Sequence, residues 1–226
     1  MFPMFEGFSE KTSEFFFMMG MNNSKTYLQE QQDIYNEYVK RPLRELQREL
    51  SHTIAEIDSE LCTIPSRCIS GIYNDVRFGN KDKPLRDYMW VRFKCMNGRD
   101  TDIPGFFFDA SYDGCRYGLR VYKMTTGGMQ KIRDAILSDP VKFKMLSQNL
   151  DNDRRFIIEG NEYARDHFTD YDPILKKWLN KKNFYIHCSD IPMQTYYSNS
   201  LAEEMVSGFT SLSGMYKFIK AALEAK

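Results

Sequence analysis

The residues best suited to chemistry lie in one segment, which runs from Ile72 to Tyr88 and reads IYNDVRFGNKDKPLRDY. Arginines, lysines and aspartates are mixed there with aromatic side chains, and Gly79, Asn80 and Pro84 interrupt any regular period. This pattern fits neither a buried strand nor an amphipathic helix, so it predicts a loop built for polar contacts. Because a guanidinium offers a planar fork of donors that matches phosphate or carboxylate, we expect an anion-binding site here.

The predicted site combines this segment with basic and aromatic residues on either side of it. Its members are Arg67, Tyr73, Asp75, Arg77, Lys81, Asp82, Lys83, Arg86, Trp90 and Arg120. We expect the ligand to be an anionic or phosphorylated small molecule. The chain contains no GxSxG elbow, no GxxxxGK[ST] loop and no GxGxxG turn, so catalytic residues, cofactors and the question of enzymatic activity stay open.

Three other functions stay open for this part of the chain. Asp75, Asp82 or Asp87 could supply oxygen ligands to a divalent cation in a phosphoester hydrolase. Alternatively, rings and cations on one face of a predicted sheet could bind single-stranded nucleic acid. The residues concerned are Trp90, Arg92, Phe107 and Arg120. In a purely structural alternative, the charged segment is an internal ion-pair clamp between helices and sheet.

Composition narrows the range of partners. Lysine plus arginine number 31 and aspartate plus glutamate number 31, so net charge does not favour nucleic acid or an anionic membrane. Neither the five cysteines nor His52, His167 and His187 fall into a metal-ligand spacing, which predicts reduced thiols and no metal site built from cysteine or histidine. The apolar run from Phe15 to Met19 is too short to span a bilayer and lacks signal-peptide features. We therefore expect a cytoplasmic protein, either a monomer or a homodimer, without a membrane partner.

Hydrophobic periodicity predicts a single compact α+β domain over residues 1–226, in which an antiparallel β-meander packs against N-terminal and C-terminal helices. In the N-terminal half, Pro42 is expected to interrupt one helix and to open the next. Near the C-terminus, an apolar stripe from Leu201 to Leu223 predicts a long helix. Gly208 and Gly214 weaken that helix locally, so we expect it to pack closely against a neighbour there.

Alternating side chains predict the faces and the register of the meander. Its strands are expected at residues 88–96, 106–112 and 115–122. Tight turns at Asn97-Gly98 and Asp113-Gly114 would place Phe106 opposite both Met89 and Val121. One face of the meander is then wholly apolar, while the other interleaves aromatic and basic side chains.

An ordered series of blocks connects these elements. The blocks are Phe8, Asn22-Asn23, Tyr35 with Arg41-Pro42-Leu43, Ile72 to Phe78 with Lys81 to Pro84, and Pro104-Gly105-Phe106. They resemble the bacterial and fungal family known as domain of unknown function 2461. The stretches Met129 to Pro140 and Leu175 to Phe184 continue the resemblance, while Asn74 stands where the family commonly has a basic residue. The resemblance implies one compact domain and no established activity.

Overall fold

The structure, a computed structural model, describes residues 4–75, 83–96 and 101–225, and in these ranges helices lie before, between and after the strands of a five-stranded sheet. The N-terminal helical elements are α1 (Glu10–Met21), α2 (Lys25–Glu30), α3 (Gln32–Ile34), a π-helical turn (Tyr35–Lys40), α4 (Arg41–Ile57) and α5 (Pro65–Cys68). The strands are β1 (Met89–Lys94), β2 (Ile103–Ser111), β3 (Gly114–Tyr122), β4 (Ile157–Glu159) and β5 (Tyr185–Cys188). The remaining helices are α6 (Thr126–Ser138), α7 (Pro140–Asn152), α8 (Pro173–Leu179), α9 (Met193–Tyr196) and α10 (Ser200–Glu224). The predicted α+β class is confirmed.

The sheet has the strand order β1-β2-β3-β5-β4, and every neighbouring pair is antiparallel. Its apolar face packs against helices. The ring of Phe209 in α10 lies 5.0 Å from the ring of Phe106, and Phe8 stacks 5.7 Å from Phe108. The predicted apolar face of the meander is therefore confirmed as the centre of the core.

The predicted register is wrong, although the predicted faces are correct. Phe106 pairs with Phe93 and Leu119, four residues and two residues away from the expected partners. The β2–β3 loop closes one residue earlier than predicted, because Ser111 pairs with Gly114, whose φ of 124° favours glycine. The predicted Asn97-Gly98 turn lies outside the described residues. Both shifts are even numbers of residues, so every side chain keeps its face.

The prediction that Pro42 opens a helix is confirmed, whereas the predicted interruption of the helix before it is wrong. The π-helical turn continues directly into α4, which contains Pro42 in its first turn. Proline has no N–H to donate to the carbonyl of Tyr38, four residues earlier. The hydroxyl of buried Thr12 in α1 donates to that carbonyl at 2.6 Å instead, so α1 satisfies the acceptor that proline leaves unpaired.

The glycines of α10 mark close contacts, as predicted. A Cβ atom at Gly208 would lie 2.4 Å from the ring of Tyr117 on β3, and one at Gly214 would lie 3.0 Å from Leu146 of α7. Glycine therefore lets α10 approach both neighbours. Although α10 has 25 residues, none of the helices in the described ranges is apolar enough over sufficient length to cross a bilayer.

Candidate anion-binding site

The second face of the sheet carries cations supported by aromatic rings. Alternation along β1 and β3 places these side chains on the face opposite the core, and Arg86 joins them from the chain that leads into β1. We term this set the arginine face. It consists of Arg86, Trp90, Arg92, Lys94, Arg120 and Tyr122.

Two rings position the cations of the arginine face. The guanidinium carbons of Arg86 and Arg92 lie 4.6 Å and 4.2 Å from the ring centroid of Trp90. The ring of Tyr122 lies 5.4 Å from the guanidinium carbon of Arg92 and 4.8 Å from that of Arg120. Each cation–π contact is worth about 0.5–1 kcal/mol at an exposed site. The rings therefore restrict several long side chains at once.

Gly105 makes the contact between Arg92 and Tyr122 possible. Tyr122 belongs to β3 but contacts Arg92 on β1, although β2 lies between these two strands. Gly105 of β2 pairs with Lys94 on one side and with Arg120 on the other, and it presents no side chain above the sheet. A Cβ there would lie 2.4 Å from the carbonyl oxygen of Phe93. Glycine therefore leaves room for side chains to meet across β2.

The cations of the arginine face form no ion pair with a described acid, although the charge of Asp109 lies near enough to raise the pKa of Arg92. Within the described residues, no carboxylate lies within ion-pair distance of its four cations, whereas nearby Arg116 pairs with Asp109 at 3.0 Å. The Nε atoms of Arg92 and Arg120 are buried and have no hydrogen-bond partner in those ranges. Burial, together with the charge of Arg120, lowers the pKa of Arg92. The face is thus positively charged and partly desolvated.

Arg86 connects the arginine face to the charged segment predicted as the site. Its guanidinium donates to the backbone carbonyls of Gly71 and Tyr73 while it stacks on Trp90. The backbone N–H of Arg86 also donates to the carbonyl of Ile72 at 2.8 Å. Arg86 therefore supports both the segment and the sheet.

Amide side chains hold the two ends of the same segment together. Asn74 donates to the carbonyls of Lys83 at 2.7 Å and Leu85 at 2.9 Å. Asn23 donates to the carbonyl of Leu85 and accepts from its N–H, both at 2.9 Å. Residues 72–75 and 83–86 thus form a paired stem. The hydrogen bonds described for this stem run to backbone groups.

The structure divides the predicted site residues among several places. Arg86, Trp90 and Arg120 come together on the arginine face. Tyr73 is 57% exposed and lines a groove beside α4 instead. Arg67 lies exposed in α5, and Asp75 and Lys83 lie exposed at the ends of the stem. The remaining predicted residues, Arg77, Lys81 and Asp82, lie outside the described residues.

Sequence reasoning missed His187 on β5. The histidine is 4% exposed, and neither ring nitrogen has a hydrogen-bond partner among the described residues. Tyr185 stacks on its ring at 5.0 Å, and Glu159 Oε1 lies 3.6 Å from Nε2. Burial lowers the pKa of His187, which favours the neutral imidazole. No local signal marks this residue, because its environment depends on β5 pairing with both β3 and β4.

One group of the described residues has the spacing of metal ligands, and it already holds an internal cation. Asp58, Glu60 and Cys95 lie close enough together to share an ion. Lys220 Nζ lies 2.6 Å from Asp58 and also contacts Glu60, while Tyr216 donates to Asp58 at 2.6 Å. Lys220 therefore neutralises the negative charge of Asp58 and Glu60 in place of a metal ion. The predicted aspartates Asp75 and Asp87 do not form such a group in the described ranges.

The fold and the site define an α+β protein whose antiparallel sheet packs against helices on one face and presents clustered cations on the other. The chain belongs to the family of conserved hypothetical proteins DUF2461, whose family model matches residues 11–218. This confirms the resemblance found in the sequence. No curated protein matches the chain.

Proposed function

We propose that the protein binds a small molecule with an anionic group, such as a phosphate or a carboxylate, on the arginine face. The observation that supports this most directly is that the Nε atoms of Arg92 and Arg120 are buried without a hydrogen-bond partner among the described residues. A buried donor without an acceptor costs about 1–3 kcal/mol. An anionic oxygen at the outer N–H groups of these guanidiniums would supply negative charge to cations whose Nε atoms are already desolvated.

The aromatic supports favour binding because they hold the cations in place before a ligand arrives. Free arginine side chains lose rotamer freedom when they bind an anion, and this loss opposes association. Arg92 already contacts Trp90 and Tyr122, and Arg120 already contacts Tyr122. The guanidinium groups therefore need less ordering, and their planar forks can meet a phosphate or carboxylate in a fixed direction.

The same contacts argue against nucleic-acid binding by base stacking. The ring of Trp90 has guanidinium carbons 4.2 Å and 4.6 Å from its centroid, and Phe107 is only 2% exposed. These rings are therefore not available as stacking platforms for bases. A compact anion that meets the cations agrees better with this geometry than an extended single strand does.

A thermal-shift measurement with and without Arg120→Gln tests the proposal. The probes are inorganic phosphate, pyrophosphate, citrate and phosphorylated sugars. A ligand present at about a hundred times its dissociation constant stabilises the folded protein by about 2.7 kcal/mol. If the variant binds about tenfold more weakly, the same concentration gives only about 1.4 kcal/mol.

Arg154→Gln is the matched control, because it removes the same charge from an exposed arginine outside the arginine face. We expect the control to keep the full ligand-induced shift. If both variants lost the ligand-induced shift equally, anion binding would depend only on the total charge of the protein, which would contradict the proposal. Absence of a shift with every probe would also contradict the proposal.

A further inference from the structure

The side of the sheet that carries the arginine face continues beyond β3 onto β5 and β4. Arg120 pairs with Tyr185 of β5, and Tyr185 in turn pairs with Glu159 of β4. Gly118, two residues before Arg120, pairs with His187. Directly opposed residues of antiparallel strands project to the same face, so Glu159, Tyr185 and His187 lie on the side of Arg120. We term these three residues the histidine cluster.

His187 is the buried centre of the histidine cluster. Its side chain is 4% exposed, and both ring nitrogens are buried without a hydrogen-bond partner among the described residues. The ring of Tyr185 stacks on the imidazole at 5.0 Å, and the Tyr185 hydroxyl donates to Glu159. The second carboxylate oxygen of Glu159 lies 3.6 Å from Nε2 of His187. A shift of about half an ångström would bring these two atoms within hydrogen-bond distance.

The surroundings of His187 favour neither charge state strongly. Burial disfavours the imidazolium and lowers the pKa of His187, while Glu159 and Asp109 of β2 favour the charged ring and Arg116 of β3 disfavours it. The phenol of Tyr185 stays neutral, because its hydrogen bond to Glu159 raises its pKa. No described backbone group holds either ring nitrogen of His187 in one protonation state. A histidine in such a position changes its charge when a nearby charge changes.

The charge of His187 alters what an anion beside Arg120 meets. The hydrogen bond from Tyr185 lowers the pKa of Glu159, so this carboxylate keeps its negative charge. With His187 neutral, the negative charge of Glu159 opposes anion binding, and with His187 protonated the two charges cancel. Diagonal neighbours in an antiparallel pair, such as His187 and Arg120, lie about 7–8 Å apart. At about 10 Å, one unit charge changes an affinity about twofold in water and about sixteenfold at an effective dielectric constant of about 20.

We infer that anion binding on the arginine face is coupled to the uptake of a proton by His187, so that the affinity for the anion rises as the pH falls. This inference rests on the proposed function and adds the regulation of the same site by pH. The coupling needs no contact between the anion and the buried ring, because the charge of the ring acts over the distance to Arg120. By thermodynamic linkage, the anion must also favour the protonated form of His187.

Isothermal titration calorimetry with sodium sulfate, from about pH 8 to about pH 5, tests the inference. Sulfate keeps its charge over this range, and sodium chloride holds the ionic strength constant. We expect sulfate to bind at least about twofold more tightly at the lower pH. Titrations in two buffers of different ionisation enthalpy should show proton uptake on binding. His187→Gln should abolish both effects, whereas the control His52→Gln should keep them, because His52 lies exposed on α4.

Glu159→Gln tests the charge argument without altering the buried ring. The Glu159 side chain is half exposed, so the variant should fold like the wild-type protein. Sulfate should bind more tightly to this variant at about pH 8, because the carboxylate that opposes the anion is gone. The remaining gain in affinity should occur at lower pH, since His187 loses the acid that favours its protonation. Weaker sulfate binding by Glu159→Gln at about pH 8 would overturn the inference.

Nuclear magnetic resonance of the wild-type protein provides a readout that needs no substitution of His187. The chain has three histidines, and His52→Gln and His167→Gln, both at exposed positions, assign the other two ring signals. Saturating sulfate should move the titration of His187 to higher pH. An unchanged titration, or an equal pH dependence in Arg120→Gln, would overturn the inference and leave the proposed anion site intact. Absence of saturable sulfate binding at every pH would instead contradict the proposed function together with the inference.

Discussion

Replacement of Arg120 by glutamine separates a binding role from a structural role. If Arg120 mainly stabilises the fold, its replacement should lower the free energy of unfolding by a large amount. If Arg120 mainly binds a ligand, its replacement should change the free energy of unfolding only slightly, because the loss of its contacts is offset by the loss of repulsion between like charges. Two contributions to the free energy of unfolding follow from the contacts of Arg120, which are its repulsion from Arg92 and its cation–π contact with Tyr122.

The repulsion depends on the distance between two guanidinium groups. Arg92 and Arg120 lie 5.4 Å and 4.8 Å from the centroid of the same ring, that of Tyr122, so their guanidinium carbons are at most 10.2 Å apart. At about 10 Å two unit charges repel by about 0.4 kcal/mol in water and by about 1.6 kcal/mol at an effective dielectric constant of about 20. Loss of the Arg120 cation–π contact costs about 0.5–1 kcal/mol. We therefore expect Arg120→Gln to change the free energy of unfolding by less than about 1 kcal/mol.

Urea denaturation at low and high ionic strength measures this change. The Debye length falls from about 30 Å at 0.01 M salt to about 3 Å at 1 M, so salt screens the repulsion in the wild-type protein. The wild-type protein should therefore gain more stability from added sodium chloride than Arg120→Gln does. Sodium sulfate should widen the difference if the anion also binds.

A loss of about 3–5 kcal/mol, which is typical of breaking a buried ion pair, would refute this reasoning. So would a change in stability that is the same at every salt concentration. Either result would assign Arg120 to the support of the fold and would remove the main argument for an anion site on the arginine face.

Three further predictions concern the stability of the fold. Gly105→Ala should destabilise the protein by about 1–3 kcal/mol in urea denaturation, because its Cβ would overlap the β1 backbone, whereas Gly71→Ala should be nearly neutral. Asp153→Asn should cost about 1–2 kcal/mol at pH 7. Hydrogen bonding to Arg155 lowers the Asp153 pKa from 3.8 to about 2, so this stability is complete above about pH 4 and the denaturation curves should converge as the pH falls to 2. Thr12→Val should lower the melting temperature by an amount equivalent to about 1–3 kcal/mol, because the proline-exposed carbonyl of the π-helical turn loses its donor; equal melting temperatures would contradict that role.

Local pattern predicted the sheet faces but not the pairing within the sheet. The alternation of β1, β2 and β3 placed Phe106 on the core side and Arg120 on the other side, and the structure agrees. The partners of Phe106 were wrong by two and four residues, because register depends on where each loop closes. The closure at Ser111 and Gly114 is a property of both strands together.

Contacts between distant residues of the surface clusters could not be predicted from local sequence patterns either. Arg92 and Tyr122 were placed on the polar face by their alternation, but no sequence period shows that they meet across Gly105. The spacing of Lys40, Arg44 and Arg48 is visible in the sequence, yet the groove that they line exists only once the chain from Pro65 to Tyr73 packs opposite them.

The sequence by itself determined the α+β class, the apolar face of the meander, the close approach of α10 at its glycines and the family. These follow from side-chain periods and local backbone preferences, which act over a few residues. Only the tertiary structure decided which charges remain without a described acid partner, that His187 is buried without a described hydrogen bond, and that Arg86 stacks on Trp90 while Tyr73 faces another groove. Burial and charge pairing depend on residues far apart in the chain, so no local pattern contains them.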